Sequence, residues 1–270
     1  MLNVNDITIT SLDIITAYSL AGVPRFILDE LSEAQISNTQ EKEDITGKGG
    51  RKLNSLKKNK AVTVSGTNGM LSAGLLEAQT GSEFEHKTAA VVEWSESLVI
   101  NSNEATTSYK GTGTTGAEIT ALYIKDSTGA ASTKLEQAAT AAEGKFAYAP
   151  ATKKLTFNAS DYADGTEIIV FYTRKIEADV LGNDSEKYSE KLRLVIDATC
   201  EDKCSNVYHL QIEIPKADFN GDFDLQFGDS QATHAFEAES LVSTASCGTT
   251  GGASNLWTWT IFGANAADAA

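Results

Sequence analysis

The chain has 270 residues, 41% hydrophobic and 22% charged, enough apolar material for a full core and too much for global disorder. Its 37 acidic and 22 basic side chains leave a net charge of −15. Such a surface repels phosphate and excludes the counterion-release binding on which nucleic-acid readers depend.

No basic n-region precedes Asp6 and Asp13, so no signal peptide is expected. The longest apolar run, residues 168–172, is far short of the ~20 residues of a membrane span. Cys200, Cys204 and Cys247 are too few, and odd in number, for a disulfide framework, so folding in a reducing cytoplasm is expected.

In chain order, Ala61-Val62-Thr63-Val64 reads as the first strand. Asn68-Gly69 then precedes Met70, Leu71, Leu75 and Leu76 at helical spacing, with Gly81 beyond. An Asn N-cap and a terminal Gly predict one short helix over about 69–80. Residues 101–117 and 126–142 read as loops, with a helical turn as the alternative over 138–142. Phe146-Ala147-Tyr148 and Leu155-Thr156-Phe157 flank Pro150 as a hairpin. Residues 168–172, apolar on both sides, predict a central strand covered on both faces.

Leu192, Leu194 and Ile196 alternate with Arg193 and Asp197, and Tyr208, Leu210, Ile212 and Ile214 with Val207, His209, Gln211 and Glu213. Over 217–227, Phe219, Phe223, Leu225 and Phe227 share one face, and Asp218, Asn220, Asp222, Asp224 and Gln226 the other. That pattern predicts a strand with an acidic wet face, or a tight hairpin at Asn220-Gly221. Trp257, Trp259 and Ile261 make the last strand, and 264–270 a frayed tail. The whole predicts a mainly β chain, a sandwich or barrel with one short helix, long loops and no internal repeat.

Chemistry is sparse. Asp218, Asn220, Asp222, Asp224 and Asp229 approach the oxygen spacing of a calcium loop, but its sixth position needs Gly and holds Phe223. Strand alternation explains the same acids without an ion. Cys200 and Cys204 flank a turn, and Cys247, His86, His209 and His234 lie at no zinc-site spacing, so free thiols are expected. No nucleophile elbow or phosphate loop occurs: Gly47 to Lys52 and Gly111 to Gly116 are Gly-rich without the required Lys-Ser/Thr. No catalytic residue, metal or cofactor is expected, and no enzyme. One charge pattern stands out. Residues 47–60 carry Lys48, Arg51, Lys52, Lys57, Lys58 and Lys60 with no acid, whereas residues 161–240 hold 18 acids and 7 bases. Opposite blocks on one chain suit head-to-tail self-association; unrelated solvated faces are the plain alternative.

The stretch Ile45-Thr46-Gly47-Lys48-Gly49-Gly50-Arg51-Lys52-Leu53, with Asn59-Lys60-Ala61-Val62-Thr63-Val64-Ser65-Gly66-Thr67-Asn68-Gly69, resembles the N-terminal half of tail tube (major tail) proteins of tailed bacteriophages. Lys187-Tyr188-Ser189-Glu190-Lys191, Ile214-Pro215-Lys216-Ala217, Phe223-Asp224-Leu225, His234-Ala235-Phe236-Glu237-Ala238 and Leu256-Trp257 resemble its C-terminal block. Together the blocks cover about half the chain; 101–165 match only in general character.

The resemblance implies one tail-tube β domain over 1–263 with a loop-rich insertion at about 101–165. It implies hexameric rings whose sheets join around a lumen, stacked into a tube through an N-terminal arm at about 31–60. The six basic residues of 47–60 would then make the inter-ring contact, and the face of Asp218, Asp222 and Asp224 would line the lumen. DNA would pass without specific binding, since acid repels phosphate. The expected partners are other copies of the chain and, by resemblance, tape measure, tail terminator and baseplate or tail tip proteins, with no membrane. The location would be the virion tail, assembled in the host cytoplasm. A capsid decoration protein or surface adhesin domain, a β-sandwich binding module, is the alternative.

Overall fold

Period-2 alternation makes most of the chain strand. The computed structural model describes residues 6–224, 233–242 and 255–263. Within them the elements run β1 (Thr8–Ser19), β2 (Pro24–Leu28), β3 (Leu31–Thr46), β4 (Lys52–Asn68), α1 (Ala73–Thr80), β5 (Glu85–Val99), β6 (Glu104–Thr106), β7 (Ile119–Lys125) and β8 (Ala131–Ala138). They continue with β9 (Lys145–Ala149), β10 (Lys154–Phe157), β11 (Glu167–Val180), β12 (Lys191–Glu201), β13 (Val207–Phe219), β14 (His234–Ser240) and β15 (Thr258–Gly263). The chain is mainly β with one α-helix among the described residues, in agreement with the predicted class. It divides into two compact units, the second being residues 85–180 inserted into the first. Residues 101–165, expected as a loop-rich insertion, lie within that unit and carry β6 to β10.

The first unit is one eight-stranded sheet, ordered β2-β1-β12-β13-β14-β4-β3, with β15 also on β13. Its buried face carries Ile15, Leu194, Ile196, Leu210, Ile214, Phe219 and Phe236. β1 has no clean alternation because two bulges, between Ile9 and Ser11 and between Leu12 and Ile14, each shift its phase. β13 passes through Pro215 because another bulge sets that stretch opposite Arg193, where the ladder needs no proline N–H.

The helix covers one end of this face. Ser72, and not Asn68, is its N-cap, accepting from the Leu75 N–H at 3.3 Å; β4 runs on through Asn68 and leaves no room for an earlier start. Gly81 ends it in the left-handed region, its N–H donating to Glu77 O at 2.7 Å. A side chain at Gly74 would strike Phe26 at 2.4 Å, so this glycine sets how closely the helix lies on β2.

The second unit is a seven-stranded sheet, ordered β5-β11-β7-β8-β9-β10-β6, antiparallel except for β8 with β9. It has its own core of Ile100, Leu122, Phe146, Leu155, Ile168, Val170 and Tyr172. The predicted hairpin around Pro150 is present as β9 and β10. Four expectations need correction here, the first being that residues 101–117, read as a loop, contain β6. Residues 126–142 contain β8, whose only fully buried side chain is Leu135, so no alternation betrays it. No helical turn forms over 138–142. Residues 168–172 lie in a central strand but are covered on one face only, since Phe171 remains 39% exposed.

The predicted strand over 217–227 is also corrected. β13 ends at Phe219, and Asn220 to Asp224 are irregular, forming neither strand nor hairpin. Asn220 N–H donates to Glu237 O at 2.8 Å, the last backbone bond to β14 before the chain leaves the sheet. Leu225, Gln226, Phe227, Asp229, Cys247 and the tail 264–270 lie outside the described residues.

Candidate functional site

β3 and β4 begin as ordinary members of the sheet. β4 pairs with β14 only over 63–68 and with β3 along its whole length. Residues 41–46 and 52–58 therefore pair solely with each other, and the hairpin continues beyond the sheet as a two-stranded arm. At the joint a bulge places Asn59 in the left-handed region, φ 51°, and its Nδ2 donates to Glu41 Oε2 at 2.6 Å. At the tip Gly49 and Gly50 hold φ near +79° and +73°, values that side-chain-bearing residues adopt only with strain. Leu53 folds over Gly47, where a Cβ would meet it at 2.7 Å.

The register sorts the arm into two faces, because directly opposed residues point the same way. Ile45 and Leu56 share one face with Glu41, Glu43, Asn54 and Lys58; Lys42, Lys57, Asp44, Ser55, Thr46 and Lys52 occupy the other. Ile45, Leu53 and Leu56 are 41%, 68% and 52% exposed, large apolar side chains held in solvent. The six basic residues are not one free block. Lys58 pairs with Glu43 at 2.6 Å and Lys52 with Asp44 at 2.5 Å, while Lys48, Arg51, Lys57 and Lys60 form no ion pair among the described residues. Lys57 stands directly opposite Lys42, a like-charge pair that costs stability until an acidic surface meets it. Sequence reading along β4 missed the acids of β3 that face it.

The acidic residues are distributed differently from the expectation. Asp218 is on β13, 3.4 Å from Lys191 and opposite Glu239. Asp222 and Asp224 are exposed beyond the strand and line a cleft of about 1090 Å³ with Glu33 and Glu237. The acidic strand face is instead the outward side of β12, β13 and β14, which carries Asp197, Glu213, Asp218, Glu237 and Glu239 against Lys191, Arg193 and Lys216. Two of these cations are already paired, Lys191 with Asp218 and Arg193 with Glu213 at 3.2 Å. The signal for Glu237 and Glu239 was present in the strict alternation of β14 from His234 to Ser240.

Beneath that strand His234 is fully buried, and burial pushes its imidazole pKa down. Its Nε2 donates to Gln79 Oε1 at 2.7 Å and its Nδ1 accepts from the Ser72 N–H at 3.4 Å, so the neutral ring suits both neighbours. This relay ties α1 to the strand beside the arm-bearing hairpin. Cys200 is buried, and burial raises its thiol pKa; Cys204 sits exposed in the β12–β13 turn, where Asp202 accepts from the N–H groups of Cys204 and Asn206.

The sequence matches the profile of the YomU/Tube protein family over residues 8–252. The chain belongs to the YomU/Tube protein family. No curated protein matches it in sequence. The match bears out the resemblance to phage tail tube proteins and extends it across 85–180, where the sequence blocks were silent. The family name marks a tube protein, a structural role.

Proposed function

We propose that this member of the YomU/Tube family builds a phage tail tube, with hexameric rings of the chain stacked around a lumen through which DNA leaves the virion. The observation that carries the reading is the arm: a two-stranded ribbon that no other strand of the described chain supports. Such a ribbon is marginal in water and is steadied by a partner surface. In this reading the arm reaches the adjacent ring, with Lys48, Arg51, Lys52, Lys57, Lys58 and Lys60 at that contact. The outward side of β12–β14, with Asp218 among its acids, faces the lumen, so phosphate is repelled and passes. Asp222 and Asp224 sit at the rim of that surface.

In this reading the chain belongs to the virion tail, after assembly in the host cytoplasm, with tape measure, terminator and baseplate or tail tip proteins as its further partners. The test is electron microscopy of the purified protein at high concentration, alongside duplex-DNA retardation at low salt. Tubes or stacked rings without DNA retention are expected. Persistent monomers, or DNA held through residues 47–60, would refute the proposal.

A further inference from the structure

The helix covers only one end of the first unit's buried sheet face. At the other end the core opens into a groove of about 500 Å³. Its walls are Ile9, Leu12, Leu31, Ile36, Trp257 and Trp259, over a floor of core side chains that includes Ile196 and Leu210. Register shows that Trp259 belongs to the core side, because it lies opposite Ile212, whose side chain is buried. Even so, Trp259 is 47% exposed and Ile9 53%. Glu33 is the one charged residue along the lining, and its carboxylate turns to the outward face, where the Thr67 hydroxyl donates to it at 3.3 Å. An indole on the core side of a sheet with half its surface in water is unusual, and exposed apolar patches of this kind mark contact sites.

The same chain exposes a matching element. Ile45 and Leu56 stand together on one face of the arm and Leu53 caps its tip; the carboxylates of that face are met within the arm, Glu43 by Lys58 and Glu41 by Asn59. A ribbon with exposed apolar side chains matches a groove into which no charged side chain is directed. The arm cannot serve its own groove. Leu31 and Ile36, which line it, lie on β3 itself, and Ile45 follows Ile36 by nine residues of the same strand, about 30 Å at strand rise.

We infer that the groove between Leu31–Ile36 and Trp257–Trp259 is the receptor for the arm of a second copy, which lays Ile45, Leu53 and Leu56 into it. Donor and receptor are different surfaces of one chain, so the contact is head-to-tail and propagates instead of closing as a dimer. This rests on the tube reading and names the surface that the arm meets.

The experiment joins the two surfaces covalently. Leu56→Cys and Trp259→Cys are introduced together into the full chain with Cys204→Ser and Cys247→Ser, and assembled protein is oxidised. The expected product is a ladder of disulfide-linked copies, lost on reduction. The pair Lys57→Cys with Trp259→Cys, on the opposite arm face, should give no ladder. Independently, Leu56→Asp should leave the circular dichroism spectrum intact and raise the concentration needed for assembly about tenfold or more. Tubes that form normally with Leu56→Asp, or that yield no ladder, would overturn the groove assignment while leaving the tube reading in place. A cross-link confined within one chain would overturn it too, by making the arm its own ligand. Wild-type protein that never assembles would overturn both.

Discussion

Strand β4 contains two regimes within one element. From Ala61 to Asn68 it alternates between half-buried and buried, with Val62, Val64, Gly66 and Asn68 inward. From Lys52 to Lys60 every residue is exposed except Ser55. Both halves keep the same ladder to β3. The hydrogen bonds are alike, so the difference is what lies against each face: a packed core in one half and solvent in the other. Backbone pairing sets the shape of such a ribbon, and burial sets how much each side chain contributes to stability. Substitutions in the two halves should therefore separate cleanly into effects on folding and effects on assembly.

The largest expected effect lies opposite the inner half. Phe236 packs on Gly66, where a Cβ would strike its ring at 2.8 Å and Glu33 O at 2.9 Å. Phe236→Ala should destabilise the protein by about 3–5 kcal/mol in denaturant unfolding, and Gly66→Ala by about 1–3 kcal/mol through overpacking. Leu56→Ala, in the outer half, should stay within about 0.5 kcal/mol of wild type. A similar loss from Leu56→Ala would mean that the arm folds back onto its own chain and the contrast is false.

The next effect concerns the anchor of the inner half. The folded-state pKa of His234 is held below its ordinary value by burial. A group shifted in that direction contributes its stability fully above the unfolded value, about 6.5, and loses it as pH falls below that value. Thermal melts from pH 7.5 to 5 should show a falling Tm as the ring gains a proton that Nδ1 must direct at the Ser72 N–H. His234→Gln should start lower and lose this part of the slope. An unchanged slope in the variant would assign the acid sensitivity to another group.

Legibility followed the same division. Strands with one buried face announced themselves, as Leu192, Leu194 and Ile196 did, because burial imposes the alternation that sequence reading detects. β8 did not, since Leu135 is its only fully buried residue, and neither did β1, whose bulges break the phase. The strand expected over 217–227 shows the converse error. Its alternation is perfect, yet the ladder stops at Phe219 and Phe223 is only half-buried in an irregular segment beside His234. Pattern reports what a segment could do if a neighbouring strand were present; it does not supply the neighbour. The basic residues of the arm were visible as a run, but the cross-strand acids Glu43 and Asp44, which neutralise two of them, needed the register.

The smallest effect on folding is the most informative about the arm. Lys57→Glu and Lys58→Glu change the net charge equally and lie side by side, but their cross-strand neighbours differ. Lys57 faces Lys42, so its reversal turns a repelling pair into an attracting one and steadies the isolated arm by a few tenths of a kcal/mol. Lys58 pairs with Glu43 at 2.6 Å, so its reversal sets two carboxylates together and loosens the arm by a similar amount. Whole-protein melting should barely register either change, within about 0.5 kcal/mol. Assembly followed by light scattering then separates two causes. If the arm's charge steers it onto an acidic neighbouring copy, both variants assemble more slowly, and wild-type assembly slows as salt screens the attraction beyond about 8–10 Å. If the order of the arm limits assembly, Lys57→Glu assembles at least as fast as wild type and only Lys58→Glu lags. The basic residues as an inter-copy contact require the first pattern; the second would leave Ile45, Leu53 and Leu56 to carry the docking without them.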